Sequence, residues 1–125
     1  MSYKCKGGNP SHITRYIEEK YKDSVDLVRK NTDGLPEPAE WRPGIYLNKY
    51  KRNDYYPIER GTVIATFEGN KFGSRMGGED TYAAFYVEDN DSGILVVSID
   101  SDGKAILKTI RFVSISLRVV EVQDW

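Results

Sequence analysis

Few side chains in this sequence are capable of nucleophilic, acid–base or metal chemistry, and their numbers exclude several mechanisms. Cys5 is the only cysteine and His12 is the only histidine among the 125 residues. One cysteine rules out an intramolecular disulfide and a thiolate zinc cluster. One histidine rules out any mechanism that needs two imidazoles. We therefore expect no metal site and no cofactor.

Neither Cys5 nor His12 is predicted to be the centre of a site. The neighbouring Lys4 and Lys6 would lower the pKa of the Cys5 thiol. A free thiol in a loose terminus is the simpler interpretation, because chain termini are commonly disordered. His12 falls just after Asn9–Ser11, a typical helix start. The pattern predicts that His12 is a surface or cap residue.

Charge and hydropathy exclude some classes of partner. The formal net charge is -1 and the charged residues form no basic stripe, so no nucleic acid partner is expected. No apolar run approaches the roughly 20 residues of a membrane helix, so we expect no membrane contact. The first residues lack a secretory signal, which predicts a cytoplasmic location or export without a classical signal peptide. The oligomeric state stays open, and a homo-oligomer is compatible with the sequence.

Three apolar runs of strand length form the predicted centre of the fold. They are rich in β-branched and aromatic residues, and stretches rich in Gly, Asn and Asp separate them. Such spacing predicts adjacent antiparallel strands. The runs are Thr62–Phe67, Tyr82–Val87 and Ile94–Ile99.

Further elements extend this sheet or cover it. Apolar residues at helical spacing predict a first helix from about Asn9 to Lys22, and Asp23 is predicted to cap a second helix, Ser24 to about Lys30. Trp41–Gly44 is a predicted turn with a large anchor. The remaining predicted elements are a short strand at Ile45–Leu47, a hairpin turn at Ser101–Lys104, a strand at Ile106–Val113 and an edge strand at Ser116–Val122.

A polar segment between the short strand and the central strands carries several tyrosines. Residues 48–60 include Tyr50, Tyr55 and Tyr56. Aromatic rings of this kind stack on sugar rings, although tyrosines in loops also serve to fix the loop. Both interpretations remain open from the sequence.

A series of short motifs follows in a fixed order between residues 23 and 113. The sharpest is Gly61–Phe67, which reads GTVIATF. The order and spacing of the motifs resemble a small branch of bacterial papain-like amidases of the CHAP/NlpC type, which cut peptidoglycan stem peptides. The other motifs are Asp23–Val28, Trp41–Gly44, Tyr82–Tyr86, Gly93–Ser98 and Leu107–Phe112.

The resemblance implies a fold class and a domain organisation. We expect an α+β protein with a papain-like amidase fold, in which two N-terminal helices pack on an antiparallel sheet of about five or six strands. Residues 1–8 are expected to be a flexible N-terminal lead. Residues 9–125 are expected to be a single amidase-like domain.

The catalytic positions of the family hold other residues here. By the resemblance, Ser24 stands in place of the nucleophilic cysteine, Tyr82 in place of the histidine and Ser98 in place of the residue that orients it. A serine hydroxyl needs a base, and a tyrosine with a reference pKa of about 10 is a poor base near pH 7. Ser98 cannot stabilise an imidazolium. The sequence therefore predicts a vestigial triad.

These substitutions predict a catalytically inactive, amidase-like domain that binds a glycan or peptide in the former active-site groove. Hydroxyl groups and aromatic faces suit a carbohydrate-linked ligand. The predicted wall of the groove consists of Ser24, Trp41, Tyr50, Tyr55, Tyr56, Tyr82 and Ser98.

Two alternatives remain open. The first is an active cell-wall amidase with its nucleophile at position 24, either as a natural cysteine or with Ser24 assisted by a nearby carboxylate. The second is a structural or protein-interaction module whose groove is closed, with Tyr82 filling the old pocket. The carboxylates near the site in sequence are Asp23, Asp26, Glu79, Asp80 and Asp100.

Overall fold

An antiparallel sheet organises the chain. The computed structural model describes residues 3–15, 19–47, 58–68, 71–72, 83–90, 93–110 and 117–121. Its strands are β1 (Arg42–Tyr46), β2 (Val63–Glu68), β3 (Lys71–Phe72), β4 (Ala83–Asn90), β5 (Gly93–Ile99), β6 (Ala105–Ile110) and β7 (Leu117–Glu121). Their order is β1-β7-β2-β4-β5-β6, and β3 pairs with β2. All these pairs are antiparallel, so the predicted antiparallel sheet is confirmed.

Within the described part of the chain one α-helix packs on the sheet, and its start matches the prediction. Helix α1 (Ser24–Lys30) begins after Asp23, which has an extended backbone conformation. The Asp23 carboxylate accepts the backbone N–H of Asp26 at 2.8 Å, as an N-cap residue does. Arg29 and Lys30 in the last turn complement the negative end of the helix dipole.

Side chains alternate between two buried faces along the central strands. On β4, Phe85 and Val87 cluster with Leu27 and Val28 of α1, whereas Ala84 and Tyr86 belong to a second cluster. We call these the α1 face and the opposite face of the sheet. Because both faces are buried, the central strands read as nearly continuous apolar runs.

The first predicted helix is shorter than expected. A 3-10 helix spans Pro10–Arg15, residues 19–20 are not helical, and residues 16–18 lie outside the described part of the chain. The apolar periodicity places Tyr21 on the same helix. Its backbone N–H instead donates to the carbonyl of Gly103 at 2.8 Å, so a tertiary contact replaces helix continuation.

Residues 3–8, which the sequence predicts to be a flexible lead, lie against the start of β2. The N–H of Cys5 donates to the Gly61 carbonyl, and the N–H of Val63 donates to the Tyr3 carbonyl, both at 2.8 Å. Cys5 is 4% exposed. Disorder at a terminus is the default only where backbone hydrogen bonds do not hold it.

Glycine allows this close approach of the N-terminal segment. Gly61 has a φ of +92°, and a Cβ atom there would lie 2.5 Å from the Gly8 carbonyl oxygen. Burial raises the pKa of the Cys5 thiol, and a hydrogen bond with the Gly8 backbone lowers it to a smaller extent. The pKa of the Cys5 thiol is therefore raised, and the lowering expected from Lys4 and Lys6 is not seen.

Two predictions near the edge of the sheet, one of a turn and one of an edge strand, are also wrong. The segment from Arg42 to Gly44 belongs to strand β1, in which Pro43 pairs with Val120, rather than to a turn. An edge strand tolerates proline because one side needs no N–H donor. The predicted edge strand near the C-terminus, β7, lies between β1 and β2. The chain crosses over between β6 and β7, so β7 pairs with two strands that are distant in sequence. The sequence around β1 and β7 therefore does not reveal where either strand lies in the sheet.

The hairpin turn between β5 and β6 is confirmed at Asp100–Lys104. The Asp100 carboxylate accepts the N–H groups of Asp102 at 2.8 Å and Lys104 at 3.0 Å. Gly103 adopts a φ of +81°, a region that side chains disfavour. A Cβ atom on Gly103 would lie 2.6 Å from the Tyr21 carbonyl oxygen. The turn therefore packs directly on the chain that leads into α1.

Within the described residues, no helix is long and apolar enough to cross a membrane.

The contact between Gly103 and Tyr21 makes Gly103→Ala a strongly destabilising change. We expect a loss of about 2–4 kcal/mol in the free energy of unfolding, measured by urea titration, because left-handed strain and steric overlap add. Gly34→Ala is the matched control, since Gly34 has a φ of +75° but no atom lies within 4 Å of the position that a Cβ atom would take. It should lose only about 1 kcal/mol. Equal losses in the two variants would contradict the packing role of the turn.

Candidate functional site

Hydrogen bonds and an ion pair hold the start of α1, which carries the residue at position 24. The Asp26 carboxylate accepts the backbone N–H of Lys22 at 2.9 Å and forms an ion pair with Lys30 at 3.4 Å. Together with the Asp23 cap, these contacts fix the first helical turn. Ser24 is the first residue of that turn and is 8% exposed.

The hydroxyl of Ser24 connects the helix to the start of β4. Its Oγ accepts the backbone N–H of Ala83 at 3.0 Å, across 59 residues of sequence. Both groups are buried, so the bond satisfies an N–H that water does not reach. The position that the resemblance assigns to the nucleophile therefore lies at the start of the strand that the resemblance assigns to the histidine.

The hydroxyl of Ser98 holds the same residue from the neighbouring strand. Its Oγ donates to the carbonyl of Ala83 at 3.3 Å, and Ser98 is 4% exposed. Val97 clusters on the α1 face, so alternation along β5 places Ser98 on the opposite face. We call Ser24, Ala83 and Ser98 the Ala83 clamp. The clamp brings two of the predicted site residues to one backbone residue, from opposite faces of the sheet.

The hairpin turn determines where α1 begins relative to the sheet. Tyr21 lies three residues before Ser24, and its backbone N–H donates to the Gly103 carbonyl. The side chain of Tyr21 is 6% exposed, and Lys30 lies 5.8 Å from the centre of its ring. The same hairpin carries Ser98 on β5, so it contacts the chain before Ser24 and also holds Ser98.

Trp41, which the sequence predicts to line the groove, is buried in the structure. It is 3% exposed, and its Nε1 donates to the Pro36 carbonyl at 2.8 Å. Its ring meets Phe72 edge to face, with 4.9 Å between the ring centroids. A large aromatic residue with a satisfied N–H is typical of a core position. The sequence signal, a tryptophan beside a turn, does not distinguish core from groove.

The four tyrosines of the predicted wall lie outside the described residues. These are Tyr50, Tyr55, Tyr56 and Tyr82, and their roles remain predictions. Two described residues flank the first three in sequence. Leu47 is 1% exposed and belongs to the opposite-face cluster, and Ile58 packs against the same cluster.

Asp23, Asp26 and His12 each make structural contacts. Asp23 caps α1, and Asp26 binds Lys22 and Lys30. His12 lies in the 3-10 helix, where its Nδ1 contacts the Asn9 carbonyl. The described residues contain no group of three or more His, Cys, Asp or Glu arranged to hold a metal. Among the described groups, the contact that Ser24 Oγ makes is with the Ala83 backbone N–H.

Sequence reasoning missed the part that Ala83 and Gly103 play at this site. Alanine and glycine carry no functional group, so a search for chemistry passes over them. Ala83 contributes its N–H and carbonyl, and Gly103 contributes its carbonyl. The one available signal was the Asp-Gly pair, which predicts the turn but not its contact with Tyr21.

Comparison with known proteins supports an amidase-type scaffold. The family model described as "Domesticated amidase effector 2" matches residues 1–119. The structure is similar to that of "Type 6 secretion amidase effector 2 (Tae2)", with a TM-score of 0.58, 19% sequence identity, and coverage of 89% of this chain and 92% of that chain. At this identity the likeness concerns the fold alone. No curated protein matches the chain significantly.

The Ser24–Ala83 hydrogen bond predicts a measurable loss of stability in Ser24→Ala. The buried N–H of Ala83 would lose its acceptor, which should reduce the free energy of unfolding by about 1–3 kcal/mol in a urea titration. Ser101→Ala is the control, because Ser101 is exposed in the hairpin turn, and its change should stay within about 0.5 kcal/mol. A neutral Ser24→Ala variant would show that the bond is not important.

The hairpin turn predicts a defined pH dependence through Asp100. The backbone N–H of Lys104 is the main cause that lowers the pKa of Asp100, with further lowering by the Asp102 N–H and the Lys104 charge. The folded pKa lies below the unfolded value of about 3.9. The contribution of the carboxylate to stability is therefore complete above that value and is lost as the pH falls through the folded pKa.

Thermal unfolding of the wild type and of Asp100→Asn tests this expectation. The difference between their midpoints should be constant from about pH 7 to pH 5 and should shrink below about pH 4. Asp102→Asn in the same turn controls for the change in net charge. A difference that grows on acidification would contradict the role of Asp100.

Proposed function

Because the chain belongs to the domesticated amidase effector 2 family, we propose that it is an amidase-derived domain that binds a peptidoglycan-type peptide or glycan without cleaving it. The ligand would occupy the former active-site groove beside the first turn of α1. The family membership supports the amidase origin, and the replaced triad residues support the loss of cleavage.

The hydrogen bond between Ser24 and Ala83 carries the proposal. A nucleophile must reach its substrate, but the Ser24 hydroxyl is buried and accepts a backbone N–H at 3.0 Å. This role uses the oxygen as an acceptor and requires no base. Ser24 is thus suited to a structural role at the position where the resemblance places a nucleophilic cysteine.

The supply of bases also favours a domain without hydrolysis. His12 is the only histidine, and it lies in the 3-10 helix against the Asn9 carbonyl. Tyr82 replaces the expected histidine and is a weak base near pH 7. Loss of one member of a catalytic triad typically costs about 10⁴ to 10⁶ in rate. The loss of all three members supports a binding role.

The chemistry of the predicted wall indicates the class of ligand. Tyr82 precedes Ala83 in the chain, and Tyr50, Tyr55 and Tyr56 supply further phenol rings. Phenols combine a stacking surface with a polar group, which suits a sugar linked to an extended peptide. Trp41 is not part of this proposal, because it is buried.

An active amidase is the second candidate, and the family description favours it. The matching model names an amidase effector, and Ser24 occupies the first turn of a helix next to a strand start. In this case a carboxylate would accept the Ser24 proton. Glu79 and Asp80 are the candidates that sequence proximity leaves, and both lie outside the described residues.

Incubation with a purified disaccharide tetrapeptide from peptidoglycan separates the two candidates. We expect no cleavage by mass spectrometry after prolonged incubation, and saturable binding by titration calorimetry, since the base is missing and the groove is retained. Cleavage that disappears in Ser24→Ala would overturn the inactive assignment. Absence of both cleavage and binding would overturn the ligand assignment.

The same titration with separate parts of the ligand identifies what is recognised. The free tetrapeptide and the disaccharide without peptide are the two matched probes. Binding of the whole compound but of neither part would favour a groove that spans the sugar–peptide junction. Titration of each probe into buffer gives the heat of dilution, and an unrelated protein at equal concentration controls for non-specific binding.

A further inference from the structure

Strand β6 is an open edge of the sheet. Among the described strands, β1 and β6 lie at the two ends of the order. The edge at β1 is blunted, because Pro43 lacks an N–H and the register with β7 is irregular between Pro43 and Tyr46. The edge at β6 has neither feature, and its register with β5 is regular from Ala105 to Ile110. A further strand can therefore add at β6.

The middle of β6 is accessible from outside the chain. Leu107, Lys108 and Thr109 are all exposed, although they are consecutive residues of one strand. Leu107 is 48% exposed, and among the described residues it is the only large hydrophobic residue that is exposed. Alternation from the buried Ala105 places Leu107 on the α1 face. A hydrophobic side chain in this position is suited to packing against an added strand.

Alternate backbone groups of β6 point away from the sheet. In the hairpin, the Asp100 N–H donates to the Lys104 carbonyl at 2.9 Å, so the backbone of Lys104 faces β5. Hydrogen-bonded and non-hydrogen-bonded pairs alternate along an antiparallel ladder. Ile106, Lys108 and Ile110 therefore also face β5. The remaining residues of the strand direct their N–H and carbonyl groups outward, and these are Ala105, Leu107 and Thr109.

The lysines of β6 select one register for pairing with a second copy of the same strand. An antiparallel pair that uses most of the outward groups is centred on Ile106, Leu107 or Lys108. A centre at Ile106 places Lys108 opposite Lys104 of the other copy, and a centre at Lys108 places the two Lys108 side chains opposite each other. Like charges in directly opposite positions are destabilising. A centre at Leu107 avoids both, because Lys108 then lies opposite Ile106.

We propose that the β6 edge binds a second copy of this chain as an antiparallel strand, with the two-fold axis at Leu107. The two Leu107 side chains pack against each other, and Ala105 lies opposite Thr109. The outward groups of both copies form about six backbone hydrogen bonds. The aliphatic stem of Lys108 packs on Ile106, and its ammonium group stays in water. The contact is isologous, so it closes as a dimer with one continuous sheet.

Sedimentation velocity of the full chain measures the association. We expect a reversible monomer–dimer equilibrium between about 1 µM and about 1 mM, because an edge contact is smaller than the roughly 1,000 Å² of a stable interface. Leu107→Lys should weaken dimerisation by about tenfold or more, since it places two ammonium groups opposite each other at the axis. A chain that stays monomeric up to the highest concentration would overturn the proposal.

Thr109→Lys is the matched control for Leu107→Lys. Thr109 is exposed on the same strand and the same face, and the substitution changes the net charge by the same amount. The new lysine lies opposite Ala105 of the other copy, so the dimerisation constant should change less than about twofold. Equal weakening by the two variants would contradict an axis at Leu107.

Ile106→Glu should strengthen the dimer, and this gain is specific to the proposed register. With the axis at Leu107, the new carboxylate lies opposite Lys108 of the other copy in two equivalent places, so dimerisation should tighten about three- to tenfold. With the axis at Ile106 the two carboxylates would face each other, and with the axis at Lys108 each would face Ile110. Adding Lys108→Glu to this variant should remove the gain. An unchanged or weaker dimer with Ile106→Glu alone would overturn the register.

Amide hydrogen exchange of the wild type locates the contact without any substitution. The outward amides of Leu107 and Thr109 should exchange more slowly as the dimer fraction rises, by up to about tenfold. The Lys108 amide faces β5 in monomer and dimer alike, so it is the reference and should not change. A dimer that leaves the Leu107 amide unprotected uses another surface and overturns the proposal.

A poly-glutamate peptide is the competing probe, because Lys104 and Lys108 also suit an acidic strand. We expect this peptide to leave the exchange of the Leu107 amide unchanged in a dilute, monomeric sample. Protection of Leu107 by the peptide in a chain that does not dimerise would assign the edge to an acidic partner and would overturn the second copy.

Discussion

The buried hydrogen bond between the hydroxyl of Ser24 and the N–H of Ala83 is the constraint on which the rest of the site depends. It joins the first turn of α1 to the first residue of β4 across 59 positions of sequence. Such a bond contributes little net energy when it is made, but it is costly to leave its partners unsatisfied in the interior. The position of the helix on the sheet and the identity of residue 24 are therefore coupled.

The hairpin turn makes this coupling possible. The Gly103 carbonyl in this turn accepts the backbone N–H of Tyr21, and β5, the strand before the turn, carries Ser98. The absence of a side chain at Gly103 is required for this contact, because a Cβ atom would meet the Tyr21 carbonyl. The hairpin thus contacts the chain before α1 through Gly103 and contacts Ala83 through Ser98.

Local signals in the sequence predicted the elements that depend on local physics. The Asp23 cap and the Asp-Gly turn appear where their side chains and backbone preferences place them. Predictions failed where distant parts of the chain decide. Tyr21 leaves the helical pattern because Gly103 binds its N–H, and Cys5 is buried because Gly61 allows close approach. Sequence periodicity contains neither contact.

The candidate site shows the same division. The resemblance placed Ser24 and Ser98 near one strand start, and the structure brings both onto Ala83. The predicted wall of the groove also includes Trp41, whose indole is buried against Phe72 with its N–H satisfied. Residue type alone could not separate these cases, because a tryptophan and a serine are each compatible with a core or a groove. The structure adds the hydrogen-bond partner of each side chain, which residue type does not contain.

A buried acceptor and an exposed nucleophile are opposing requirements for one hydroxyl. Catalysis needs position 24 to face the substrate with a base beside it. Stability of the helix–strand contact needs the same oxygen to face the Ala83 N–H. A thiol is a weaker acceptor than a hydroxyl, so a cysteine at this position would hold Ala83 less firmly and would be freer to react. The serine at position 24 favours the structural requirement, because its Oγ accepts the Ala83 N–H at 3.0 Å.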